Sequence, residues 1–211
     1  MIRLARGFLA VVAAGLLAVA PVVQGAGPED AQALVKGTAD KVLVRLKQDR
    51  AKLQAKPDLI YPLVEDLVLP HFDFEKMSQW VLGPAWRTAS AEQRQRFTAE
   101  FRNLLVRTYA KALLEYTDQT LNYLPVQAEA GADKVVVKTQ IVQKGSSYPI
   151  GIDYAMYQKN GVWKVYDLAV DNVSLVANYR KTFASDLRQG NLDQLIARLE
   201  TMNKQGTEKG G

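Results

Sequence analysis

The apolar period of this chain changes twice, and that pattern restricts its architecture more than any other feature. Helical spacing runs to Tyr116, a period of two runs from Val135 to Val170, and helical spacing returns after Val173. Helices, then a meander of strands, then helices imply an α+β domain. The expected arrangement is a set of helices on one face of a curved antiparallel sheet of about four strands. Two such layers enclose a single large interior, and periodicity alone does not tell whether it is solid or hollow.

The helices are marked by their stripes and their ends. From Pro28 to about Arg50, Ala31, Leu34, Val35, Val42, Leu43 and Leu46 recur at helical spacing, with Pro28 suited to the first turn. A second helix opens at Pro57 and closes before Pro70; its Leu59, Ile60, Leu63, Val64, Leu67 and Val68 form a wider apolar face than a surface helix needs. A third, Asp73 to Leu82, stops at Gly83 and Pro84. Ser90 with Gln93 three residues on reads as a capping box for a long helix running to about Tyr116, with Phe97, Phe101, Leu104, Leu105, Tyr109 and Leu113 as its stripe.

Strand alternation is clear at Val135, Val137, Thr139 and Ile141, and again at Ile150, Ile152, Tyr154 and Met156. Lys159, Asn160 and Gly161 supply a tight turn into Val162 to Val170, making a hairpin. A weaker strand, Gln119 to Gln127, contains Pro125 and therefore belongs at an edge. Two helices close the chain, Val173 to about Arg188 and Leu192 to Met202.

Residues 1–25 have the order of a cleaved secretory signal: Arg3 and Arg6, an apolar run from Phe8 to Val23, then Gly25 and Ala26. The domain expected behind it is 27–203, with 204–211 a polar disordered tail. The location this implies is periplasmic, across the inner membrane. There is no cysteine, so neither a disulfide nor a thiolate metal site is available. Of the net charge of +5, Arg3 and Arg6 carry two. The remainder is too small an excess to argue for nucleic acid.

Catalytic constellations are sparse. His71 is the one histidine, and its near neighbours Asp73 and Glu75 do not make a general-base site by themselves; a histidine at a helix junction is the blander reading. Gly145, Ser146 and Ser147 lie between strands, with no helix after them to hold a phosphate, and read as a hairpin turn. Asp153 and Asp167 occupy the register opposite to Ile152, Tyr154, Tyr166 and Leu168, so they face water if those residues face inward. No catalytic residue, metal ligand or cofactor site is assigned. Tyrosines on an inner face need hydroxyl partners, which the mouth of a cavity supplies more readily than a dry core.

Two long segments carry a resemblance. Phe72 to Phe97, FDFEKMSQWVLGPAWRTASAEQRQRF, and Val162 to Phe183, VWKVYDLAVDNVSLVANYRKTF, are similar to the signatures of the MlaC or toluene-tolerance family. An acidic-Gly-Val sequence would be usual before Ser174; here it reads Asp171, Asn172, Val173. The resemblance implies a carrier without cofactor that shuttles phospholipid between an outer-membrane lipoprotein complex and an inner-membrane ABC transporter, maintaining outer-membrane lipid asymmetry. The expected acyl-chain lining combines three parts of the fold. The helices contribute Val81, Phe101, Leu105, Tyr109 and Leu113; the strands contribute Val137, Ile152, Tyr154, Met156, Tyr166, Leu168 and Val170; the start of the following helix contributes Val173 and Val176. The competing expectation is a small cone-shaped α+β enzyme, an isomerase or hydrolase with an apolar pocket.

Overall fold

The computed structural model describes residues 27–208 apart from 117–118, 130, 144 and 146–147, with side chains through 205. The expected signal segment, 1–25, lies outside the described residues. So do parts of the turn at Gly145, Ser146 and Ser147 and the last residues of the expected tail.

The helical layer begins with α1 (Pro28–Gln48) and α2 (Arg50–Ala55), then a 3₁₀ turn at Pro57–Leu59, α3 (Ile60–Leu67) and a second 3₁₀ turn at Leu69–His71. It continues through α4 (Phe74–Leu82), α5 (Pro84–Thr88) and α6 (Ala91–Tyr109). The Ser90 capping box is formed: its hydroxyl accepts from the Gln93 amide at 3.1 Å, and the Gln93 side chain accepts from the Ser90 amide at 2.9 Å. The long helix ends seven residues before Tyr116, because Ala110–Glu115 tightens into 3₁₀ geometry. That change of pitch bends the chain over the edge of the interior.

The sheet is a five-stranded antiparallel meander in sequence order: β1 (Thr120–Tyr123), β2 (Lys134–Val142), β3 (Ile150–Lys159), β4 (Val162–Val170) and β5 (Val173–Ser174). β1 is at an edge, as expected, but it ends at Tyr123, so Pro125 follows the strand instead of lying within it. Asn160 (φ 54°) and Gly161 (φ 77°) adopt the left-handed conformations that a two-residue hairpin turn demands. The fifth strand is one more than the sequence pattern indicates; two residues are too short for an alternation to register. α7 (Leu175–Gln189) and α8 (Leu192–Glu208) complete the fold. α8 continues beyond Asn203 into the segment expected to be a tail. The Asn203 amide nitrogen anchors it by donating to the Glu100 carbonyl at 3.0 Å and to Glu100 Oε2 at 2.7 Å.

Burial is divided among three clusters. One is a solid helical core of Met77, Val81, Phe97, Phe101, Val176, Phe183, Ile196 and Leu199. A second joins α1 to the sheet through Ala31, Val35, Val137, Met156 and Val165. The third gathers Val42, Leu46, Ile60 and Val64 under the 3₁₀ segment. Among the described residues, no helix is long and apolar enough to cross a membrane.

One irregularity governs which strand residues face inward. The register of β3 on β4 shifts between Ala155 and Met156: Ala155 pairs with Asp167, but Met156 pairs with Val165. Tyr166 is the extra residue of this β-bulge, and a one-residue insertion reverses the facing of everything on one side of it.

Candidate functional site

Between the sheet and the helices of α1, α3, α4 and α6 lies a cavity of about 700 Å³. That volume is within the range of small-molecule and cofactor pockets, roughly 300–1,000 Å³. Its wall is built from below by β3 and β4, whose inward register presents Ile152, Tyr154, Met156, Val165, Leu168 and Val170. One side is the α1 stripe of Leu34, Val35, Val42 and Leu46. Val64 and Val68 continue it, and Phe74 and Met77 on α4 close it. The roof is Leu105 and Tyr109 at the end of α6, followed by Leu113 and Tyr116 on the 3₁₀ segment.

Exposure locates the mouth. Val173 is 58% exposed and Tyr109 38%, and Ala112, Thr120 and Asn178 are also exposed. At the other extreme Met77, Met156 and Val165 are at most 2% exposed, and these form the floor. A smaller cavity of about 320 Å³ adjoins the first and shares Leu46, Leu113 and Tyr116 with it.

No Asp, Glu, Lys or Arg belongs to the wall of the main cavity among the described residues. His71 and two of the wall tyrosines, Tyr109 and Tyr154, are held neutral. Burial, then the nearby Lys164 and Lys41, pull the His71 imidazole below its usual value of 6.5, so it is uncharged at neutral pH. Burial, aided by a hydrogen bond with Tyr179, pushes the Tyr109 phenol up to about 12. Burial also raises Tyr154, and a hydrogen bond with Thr139 opposes that effect. The inward-facing tyrosines thus have hydroxyl partners, at the mouth for Tyr109 and within the sheet for Tyr154. A wall of this kind, without a charged side chain and with His71 as its one imidazole, suits long alkyl groups.

Nine of the fourteen residues expected at the lining are on the wall: Leu105, Tyr109, Leu113, Ile152, Tyr154, Met156, Leu168, Val170 and Val173. Five are not. Val81, Phe101 and Val176 are consumed by the solid core that α4, α6, α7 and α8 share. Val137 is fully buried, packed in the cluster under α1. Tyr166 is turned away by the bulge and stacks instead against Trp80, with ring centroids 5.9 Å apart.

Conversely, the walls from α1, α3 and α4 and His71 itself were absent from the expected lining. The signal available for α3 was its unusually wide apolar face. Asp153 is outside the cavity, 3.6 Å from Lys138 on the adjacent strand. Asp167 secures the entry to α7, accepting from the Ser174 hydroxyl at 2.5 Å and the Val176 amide at 3.1 Å.

Comparison with known proteins is decisive at this point. The sequence model described as MlaC protein matches residues 36–201, most of the chain. This chain belongs to the MlaC family. The intermembrane phospholipid transport system binding protein MlaC of Haemophilus influenzae is 28% identical over 170 residues, 79% of each chain. The toluene tolerance protein ttg2D of Pseudomonas putida is 31% identical over 166 residues, 77% of this chain and 76% of its own. Among solved structures, the phospholipid-binding protein of Ralstonia solanacearum, in complex with a phospholipid, is 33% identical with a TM-score of 0.76. That superposition covers 84% of this chain and 98% of the other. The α+β architecture expected from the sequence is thus shared with a phospholipid-binding protein solved with a phospholipid bound.

Proposed function

We propose that this protein carries a two-chain phospholipid across the periplasm, with the acyl tails in the cavity and the head group at the mouth between Tyr109, Val173 and Asn178. The observation that carries the reading is the uncharged wall of an approximately 700 Å³ cavity in a chain of the MlaC family. Two chains of roughly sixteen carbons cost about 25 kcal/mol to expose to water, at about 0.8 kcal/mol per methylene, so unaided transfer is negligibly slow. An apolar container removes that barrier without needing specific polar contacts. The family assignment and the signal-like residues 1–25 support a periplasmic location. An inner-membrane ABC transporter and an outer-membrane lipoprotein complex are the donor and acceptor this reading requires. Of the residues considered for an enzyme, Asp153 and Asp167 are engaged outside the cavity, while His71 is on its wall with no carboxylate beside it there among the described residues.

The test is direct. Protein purified without detergent, extracted with organic solvent and examined by mass spectrometry, yields diacyl phospholipids. Folded protein whose extracts are empty refutes the proposal.

A further inference from the structure

The bulge that removes Tyr166 from the cavity places it in an aromatic strip on the outside of the molecule. Trp80 is half exposed, its ring tilted against Tyr166; Tyr166 meets the edge of Tyr157 at 5.8 Å. Lys76 lies on the same face of α4 as Trp80, one turn earlier, with its ammonium 3.8 Å from the Tyr157 ring centre and 5.8 Å from that of Tyr166. Lys164 is the ladder partner of Tyr157, and the Arg180 guanidinium packs over Gly83, just past the end of α4. None of Lys76, Lys164 and Arg180 has an ion-pair partner among the described residues. Glu75 is the exposed carboxylate nearby, and it acts on Tyr157 and Lys159.

Tyr157, at one end of the strip, is tied down by hydrogen bonding. The Asp73 carboxylate accepts from the Tyr157 hydroxyl at 2.5 Å, from Lys159 at 2.7 Å and from the Lys76 amide at 3.0 Å, while the Asp73 amide donates to the Val165 carbonyl at 2.8 Å. Burial alone would raise the Asp73 pKa; these hydrogen bonds outweigh it and hold the carboxyl below its usual value of 3.8, keeping it ionised. Immobilised aromatic side chains lose little entropy on association, and Trp, Tyr and Arg are the residue types that dominate protein interfaces.

We propose that the strip of Trp80, Tyr166 and Tyr157, rimmed by Lys76, Lys164 and Arg180, docks a protein partner presenting an apolar centre ringed by carboxylates. The proposal rests on the carrier reading for its physiological setting. Lys164 donates to the Pro70 carbonyl at 2.6 Å, but none of the three cations is matched by a carboxylate, which specifies acidic complementarity. A half-exposed tryptophan packed on tyrosines and rimmed by cations has the composition of a protein-interface hot spot, and a bare lipid surface is the alternative that protein-free vesicles detect. The strip covers the back of α4, whose front supplies Phe74 and Met77 to the cavity wall. A partner engaging Trp80 and Lys76 therefore grips the helix that closes the floor, and a docked state that prefers a displaced α4 releases lipid only where the partner is present.

Transfer of fluorescent phospholipid from the protein is measured to proteoliposomes carrying the inner-membrane transporter complex and, separately, to protein-free phosphatidylglycerol vesicles. Binding of the delipidated protein to the immobilised complex is followed in parallel, so this inference is tested even if the carrier reading fails. Trp80→Ala and, as a second variant that leaves the aromatic packing and the Lys76 contacts intact, Arg180→Glu are each expected to weaken binding and slow transfer to proteoliposomes at least about ten-fold. Their melting temperature, co-purified lipid and transfer to protein-free vesicles are expected to stay at wild-type values. Unchanged binding to the complex by both variants overturns the proposal. Equal slowing with protein-free vesicles overturns it too, by showing that the strip meets lipid.

Discussion

Replacing Leu168 by tryptophan separates a hollow interior from a packed one. Leu168 pairs with Tyr154 across the ladder, and both contribute to the cavity wall. The indole brings about six more heavy atoms than the leucine side chain, so it displaces on the order of six methylenes of bound lipid; at about 0.8 kcal/mol each, binding weakens by up to about 5 kcal/mol. In the delipidated protein the same atoms enter free space in a cavity of about 700 Å³. With no packed neighbour displaced, stability changes by less than about 1 kcal/mol, whereas overpacking a filled core costs about 1–3 kcal/mol. The assay is thermal unfolding of both delipidated proteins, because bound lipid stabilises the native state and would favour the wild type. Mass spectrometry of the untreated proteins accompanies it. The expected result is matching melting temperatures, less lipid in the variant and a shift of what remains toward shorter chains. A fall of roughly 2–12 °C in the delipidated variant, the range that about 1–3 kcal/mol gives in a domain of this size, with lipid content unchanged, refutes the reasoning.

Phe101→Ala provides the opposite case, because Phe101 is fully buried among Phe97, Tyr179 and Phe183 and does not reach the cavity. It is expected to cost about 3–5 kcal/mol in denaturant unfolding while the fraction of folded protein that holds lipid stays unchanged. Stability should also decline in two separate steps on acidification. The folded chain resists protonating His71, so stability falls as pH drops below the unfolded value of 6.5 towards its lowered folded value. The ionised Asp73 contributes fully above 3.8 and its contribution is lost as pH falls through its still lower folded value. In pH-dependent unfolding His71→Gln should flatten the first step and Asp73→Asn the second; a slope that neither changes would show that other groups govern it.

Parts of the fold were legible because the physics behind them is local. The Ser90 capping box and the Asn160–Gly161 turn each depend on residues within a few positions of one another. The end of the long helix was less legible: Ala110–Glu115 keeps the apolar spacing of a helix but tightens to 3₁₀ geometry, a change of pitch that leaves the residue pattern nearly unaltered. The same limitation concealed β5, whose two residues pair with Ala169 and Val170 only because the chain reverses at Asp171 and Asn172.

By itself the sequence determined the order of helices and strands, the α+β class, the family signatures and which strand residues alternate. It also determined the scarcity of catalytic side chains. Tertiary structure decided which apolar residues enclose space and which fill it. Leu105 and Phe101 share one helix stripe four residues apart and one buried cluster, yet Leu105 also borders the cavity while Phe101 does not reach it. Likewise Tyr166 and Leu168 have the same parity on β4, and only the bulge in the pairing with β3 sends one outward and the other inward. Periodicity records that a side chain is to be removed from water. Whether it meets another side chain or a cavity depends on the distance between layers, and that distance is set by contacts between residues far apart in the chain.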